Sequence, residues 1–432
     1  MPERQHPQII FANLVNELMV AAPSPAYIKA MSVVTPRKIW LAREGDVIVT
    51  PRPIEDLHKR YACSILGIDP NKVVTLSPGG EPTDSLSRQV LQGDLLERLS
   101  ALIAERPGID ILPFALDQPT LDLVETLDIP LHWYRELPGP KLRQALYELN
   151  TKSGFRRAAE RQGMRIVSGA YCEGIDELAS KVEELLPLTG GVVIKPDRSS
   201  NGFGHVILHR SEVGDQDLRS HLAQRVDSTL TPQQPRVFTV EAFLDFVNVP
   251  SVELVVQEEG ASLLYICDMR TVNNMFTGMV TPPINLSPQS EKELLRIGKI
   301  FGDYVHGLGF RGICDVDAGV TADGTLYANE TNFRRTGGTY LDSLVKRLVG
   351  DNYLQTHVWW ADGRVGHGEQ DFAAGLAALH ETGLAYSSGT GAGVLLTANT
   401  VSIDRKWRYL ILAPNHEQAA EIESKLEDLL EL

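Results

Sequence analysis

The sequence predicts a multidomain protein of mixed α/β and α+β class, and three observations predict it. Residues 8–135 alternate apolar runs of strand length with stretches of helical periodicity, the pattern of an α/β domain with a partly parallel sheet. Phe310 to Tyr340 holds two strand-like runs around Asp323-Gly324, a strong short-range hairpin signal. The 432 residues exceed what one hydrophobic core organises, so two or three domains are expected.

In the first block, IIFANLV, KIWLA, DVIVT and KVVTLS are predicted strands, and LSRQVLQGDLLERLSALIAE and TLDLVETL predicted helices. Pro and Gly in ELPGPK mark a boundary, so the first domain is drawn over 1–145. It contains no GxGxxG, which leaves dinucleotide binding without support. The second domain, 146–355, opens on the helical stretches KLRQALYELN and KSGFRRAAERQG. GGVVIKP and HVILHR are strands around a polar glycine loop, DSTLTPQQP is a surface loop, and PRVFTVEAFLD and SVELVVQ are strands. Ser287-Pro288 starts a helix whose apolar stripe is Leu294, Ile297, Phe301, Tyr304 and Leu308. Residues 356–432 read as a small α+β appendage, with Trp359 and Trp360 at a domain contact and Asn415 capping the last helix.

Composition excludes several classes. The formal net charge of −15 argues against a nucleic-acid backbone as partner, while an anionic nucleotide in a local basic pocket stays compatible. The four cysteines are dispersed and form no CxxC, so neither a disulfide framework nor a zinc site is expected. No apolar run approaches the roughly 18 residues of a membrane span. The first residues lack a basic stretch followed by an apolar one, so no signal peptide is expected. The prior is a cytoplasmic enzyme or binding protein, with no membrane or nucleic-acid partner.

The hairpin carries the chemistry. If Asp323 and Gly324 alone form its loop, Asp317 faces Glu330 and Asp315 faces Asn332. Side chains alternate along a strand, so all four then share one face. A four-residue loop keeps that parity and a three-residue loop breaks it. Clustered carboxylate and amide oxygens beside Arg334, Arg335 and Gly337-Gly338 suit Mg²⁺ and phosphate. The plain alternative is a solvated polar sheet face.

Three weaker signals precede it. In VVIKPDRSSNGFGHVIL a strand delivers Lys195, and a loop of Ser199, Ser200, Asn201, Gly202, Phe203 and Gly204 can turn backbone N–H groups onto phosphate oxygens. Lys152 starts a helix, where a solvated side chain is the ordinary case. In VEAFL, Glu241 to Leu244, a strand end offers backbone groups to a base edge, yet any amphipathic strand reads the same. Arg270 is a candidate for a substrate carboxylate or phosphate, or for support at a core edge. His205 reads as an ordinary strand residue, and SSGTGAG as a turn.

Taken in order, these motifs resemble the ATP-grasp superfamily. The resemblance covers about 150–345 and implies that Lys152 and Lys195 bracket ATP while the loop from Ser199 to Gly204 closes over its triphosphate. It implies that Glu241, Ala242 and Leu244 form the adenine hinge and that an acid after the hinge, here Glu253, holds the ribose. It implies that Asp317, Glu330 and Asn332 bind Mg²⁺ and that Arg334 meets phosphate or acyl phosphate. Arg335 beside it is a second catalytic candidate, and Gly338 a substrate-side one. The phrases KPDRSSNGFG and NETNFRRTGGT, with their flanks, are similar to the pheganomycin-type peptide ligases, which have a pre-ATP-grasp domain, an ATP-grasp domain and a short C-terminal domain. That resemblance implies an ATP-dependent carboxylate–amine ligase for an amino acid or peptide, with a homodimer as a family-level expectation. A carboxylase or kinase-like enzyme without an amine acceptor, or a scaffold without turnover, are the alternatives.

Overall fold

The computed structural model describes residues 6–199, 202, 204–213, 217–227, 235–272 and 275–432. The predicted loop members Ser200, Asn201 and Phe203, and most of DSTLTPQQP, lie outside the described residues. Among the described residues no helix is long and apolar enough to cross a membrane.

The first block forms a four-stranded parallel sheet in the order Val74–Leu76, Val47–Val49, Gln8–Phe11, Asp110–Pro113. Its strands are short, and the two central ones are wholly buried, as strands covered on both faces by helices are. Two readings of this block need correction. KIWLA is not a strand: Thr35–Leu41 is a 3₁₀ helix with Pro36 in its first turn, where the fixed φ of proline suits a helix start. Five of its residues are buried, so periodicity could not separate the two states. The long predicted helix is two, Leu86–Gln92 and Leu95–Ala104, divided at Gly93.

The small antiparallel sheet runs Gly169–Glu173, Val237–Ala242, Gly191–Pro196, Val206–His209, backed by the helix Gly174–Thr189. The large sheet runs Leu326–Glu330, Gly312–Thr321, Pro250–Gln257, Gly260–Val272, Met275–Thr281, Val358–Val365, Lys406–Ala413, Gly393–Ala398. Phe246–Asn248 adds a ninth strand beside Gly312–Thr321. The C-terminal strands therefore extend the large sheet and do not build one of their own. The join is Met275–Thr281 against Val358–Val365, with Val280 opposite Trp360. Trp359 and Trp360 consequently fill opposite faces of a central strand. The helix Pro288–Gly307, capped by Ser287 as the sequence indicates, lays its apolar stripe on the large sheet.

The hairpin register is reached by an unexpected route. The loop has three residues, with Thr321 N–H bonded to Thr325 O at 3.0 Å and Gly324 at φ +82°. Only glycine takes that conformation cheaply. A three-residue loop should break the parity, and near the turn it does: Val320 faces Leu326. The register then slips by one between Asp317 and Ala318, an irregularity that leaves Asn329 over. Beyond it Asp317 faces Glu330, and Asp315 N–H donates to Asn332 O at 3.3 Å.

Candidate active site

A cavity of about 780 Å³ separates the small sheet from the large one. Its roof carries Lys195, Gly202, His205 and Glu241 to Leu244; its floor carries Asp315, Asp317, Glu330 and Asn332. Val193, Ile207, Phe243, Leu244 and Phe246 make one end apolar.

Roof and floor are charge-matched. Lys195 Nζ lies 2.7 Å from Glu241 Oε2, and Arg156 Nη1 lies 3.3 Å from Glu241 Oε1. Burial would lower the Lys195 ammonium, but Glu241 and Glu330 outweigh it and raise it. Lys152 Nζ sits 3.0 Å from Glu330 Oε2 and 3.1 Å from the Ser199 carbonyl, so it ties helix, loop and hairpin together. Burial opposes ionisation of Glu330, yet Lys152 and Lys195 pull its carboxyl down to about 2. Burial and the two lysines push the His205 imidazole down to about 3, so it is neutral near pH 7. Among the described residues its buried Nε2 has no partner.

The floor is crowded with acids. Burial, then Glu253, hold the Asp315 carboxyl well above its usual range. Burial, then Asp315 and Glu330, do the same to Asp317. Asn332 Nδ2 donates to both Asp315 oxygens at 2.9 and 3.0 Å and to Asp317 at 3.2 Å, while its Oδ1 accepts from Arg334 at 2.6 Å. Asp317, Glu330 and the Asn332 amide are hard oxygen donors of the kind Mg²⁺ takes. The raised carboxyls of Asp315 and Asp317 mark where an added cation would be favoured. Among the described residues no three His, Cys, Asp or Glu side chains form a group that could hold a metal ion by themselves.

Other candidates stand elsewhere. Glu253, expected at a ribose, accepts hydrogen bonds from Thr336 and Thr339 on the floor, where burial raises its carboxyl to about 7. Its strand pairs it with Asp315, and both line the same cavity as Glu241 to Leu244. Arg270 is committed to Asp362 and Glu423 and lies 4.6 Å over the Trp360 ring, so it joins the C-terminal strands to the sheet. Gly338 allows close packing, since a side chain there would collide with Tyr265 and Met279. Arg335 lies 5.8 Å over the Trp133 ring and faces away from the main cavity. Arg156, Tyr265 and Arg37 belong to the site's surroundings but carry no sequence motif. Arg156 could have been suspected only from its place one turn after Lys152.

Comparison with known proteins agrees with this architecture. Residues 35–129 match the pre ATP-grasp domain, and residues 375–426 match the PGM1 C-terminal domain. The chain is 26% identical over 243 residues to the [butirosin acyl-carrier protein]–L-glutamate ligase of Niallia circulans. That match takes in 54% of this chain and 53% of the relative, so it spans about half of that protein. The L-propargylglycine–L-glutamate ligase of Streptantibioticus cattleyicolor is 24% identical over 75% of this chain and 71% of its own length. Among solved structures, the ADP complex of purK, an N5-carboxyaminoimidazole ribonucleotide synthetase, superposes with TM-score 0.60 at 15% identity over the whole of both chains. An L-amino acid ligase from Bacillus licheniformis gives 0.55 at 15% identity, over 99% of this chain and 98% of that one. The fold is the ATP-grasp fold with a pre-ATP-grasp domain. More particularly, residues 375–426 carry the C-terminal domain named for PGM1, and both curated relatives are named as L-glutamate ligases.

Proposed function

We propose that the protein is an ATP-dependent carboxylate–amine ligase that forms an amide bond and releases ADP and phosphate. The observation that carries this reading is the pairing of Asp317 with Glu330 across the hairpin, under Lys152 and Lys195 and beside Asn332 and Arg334. Two relatives named as ligases for L-glutamate support an amino acid as one substrate.

In this reading the apolar end of the cavity takes the adenine against the Glu241 to Leu244 strand, and Lys152 and Lys195 hold phosphate oxygens. Asp317, Glu330 and Asn332 would hold Mg²⁺, which would supply neutralisation of the charge on phosphate oxygens. A carboxylate oxygen of the acid substrate attacks the γ-phosphorus, the bond to the ADP oxygen breaks, and an acyl phosphate forms. Arg334, fixed by its bond to Asn332 Oδ1, stabilises the anionic oxygens. The amine nitrogen then attacks the acyl carbon, the bond to phosphate oxygen breaks, and the amine proton leaves to phosphate or solvent.

The test is an ADP-release screen over paired amino acids and short peptides, with the product mass measured. ADP that appears only when acid and amine are both present, with a product lighter by one water than their sum, is expected. ADP that needs bicarbonate or no amine would point to a carboxylase or kinase-like enzyme. ATP bound with no ADP from any pair would point to a scaffold.

A further inference from the structure

The cavity wall opposite the hinge holds more buried positive charge than the ligase chemistry uses. Arg37, from the 3₁₀ segment of the first domain, lines the cavity together with Arg334 from the hairpin exit, and Lys38 lies behind them with Arg335 as a neighbour. Lys38 is 3% exposed and its Nζ has no hydrogen-bond partner among the described residues. Nζ lies 4.8 Å from the Phe114 ring centre and 5.1 Å from that of Tyr340. Arg37 lines the cavity with its guanidinium 5.3 Å over the Tyr340 ring, and its Nε lacks a partner. Arg334, 9% exposed, also keeps an unpartnered Nε. Among the described residues none of these four side chains makes an ion pair.

Glu253, the acid that acts on Lys38 and Arg335, is already engaged by Thr336 and Thr339. Burial, with Arg37 and Arg335 as neighbours, depresses the Lys38 ammonium strongly. Buried cations without partners are costly, and aromatic faces compensate only in part. The cavity floor here is open, because Gly337 has no side chain to stand before the Arg37 guanidinium. An anion seated between Arg37 and Arg334, with Lys38 behind, would satisfy the unpartnered nitrogens.

Resting on the ligase reading, we infer that Arg37, with Lys38 behind it, forms a subsite for a substrate carboxylate that does not react, so that one substrate carries an acidic group besides the one activated. The anion is a carboxylate in preference to a phosphate because, in the ligase reading, the nucleotide's phosphates are served by Lys152 and Lys195. Such a group could belong to a dicarboxylic acid substrate or to the free carboxylate of an amino acid amine.

Calorimetric binding of glutarate and of its monoamide tests this without turnover. The wild type is expected to bind glutarate about tenfold to a hundredfold more tightly than the monoamide. Arg37→Met should bind the two alike, and Arg37→Lys should keep part of the preference. Equal binding by the wild type, or an undiminished preference in a folded Arg37→Met protein, overturns the inference. A second arm uses any ligating pair found by ADP release, with the spare carboxylate amidated first on the acid and then on the amine. KM should rise for one of the two in the wild type and not in Arg37→Met, which names the source. No change for either overturns the subsite. A pair screen with no ADP at all defeats the ligase reading, while the glutarate comparison still decides the subsite.

Discussion

His58 lies where the first domain meets the C-terminal segment, edge-on to Trp40 at 6.3 Å and to Phe372 at 5.7 Å. It is 1% exposed, and among the described residues neither ring nitrogen has a hydrogen-bond partner. Removal from water is the main cause that pushes its imidazole from 6.5 to about 4, weakly opposed by the Thr397 backbone. The unfolded chain thus takes up this proton near pH 6.5 and the folded chain only near 4. The stability involved is complete above pH 6.5 and is lost as pH falls towards 4. Linkage over that window gives a loss of about 2 kcal/mol between pH 8 and pH 5. His58→Leu removes the titration. At pH 8 it relieves two unsatisfied nitrogens and forfeits two ring contacts, so the net change there is within about 1 kcal/mol. Urea midpoints at pH 8 and pH 5 should show the variant overtaking the wild type by about 2 kcal/mol at the lower pH. Parallel losses in the two proteins would refute a neutral, desolvated His58.

Other perturbations act on the cavity. Glu330→Gln should keep the fold yet lower Mg²⁺-dependent ADP formation by at least about a hundredfold, because it removes a charged oxygen donor; wild-type turnover in a folded variant would exclude Glu330 from the metal site. Gly202 has φ +74°, so Gly202→Ala should strain the loop by about 1 kcal/mol and raise the KM for ATP several-fold. Unchanged nucleotide kinetics in that variant would mean that the loop does not close on phosphates.

The pairing of Asp317 with Glu330 was legible because the two are close in sequence and fall on one face. Its register, however, follows from two compensating departures, a three-residue loop and the slip beside Asp317. Either one alone would have turned Glu330 and Asn332 to the other face. Alternation along a strand predicts which residues can meet, but it does not see a bulge. The strands Gly260–Val272 and Met275–Thr281 were missed because their outer ends carry exposed and half-buried residues without clean alternation. The C-terminal strands looked like a separate unit because sheet continuity through Val280 and Trp360 is a long-range pairing with no local signature. Arg156 and the Arg37–Lys38 pair were illegible for the same reason: each acquires meaning from partners brought together only by the fold. Glu253 and Arg270 show the reverse, since both had plausible ligand roles in sequence and both are engaged by protein groups.

The most direct measurement is a crystal structure of the protein soaked with Mn²⁺ and a non-hydrolysable ATP analogue, read by anomalous scattering. A single strong peak within about 2.2 Å of oxygens from Asp317, Glu330 or Asn332, touching the analogue's phosphates, is predicted. A peak elsewhere, or phosphates bound with Lys152 still paired to Glu330 and no metal between hairpin and nucleotide, would contradict it.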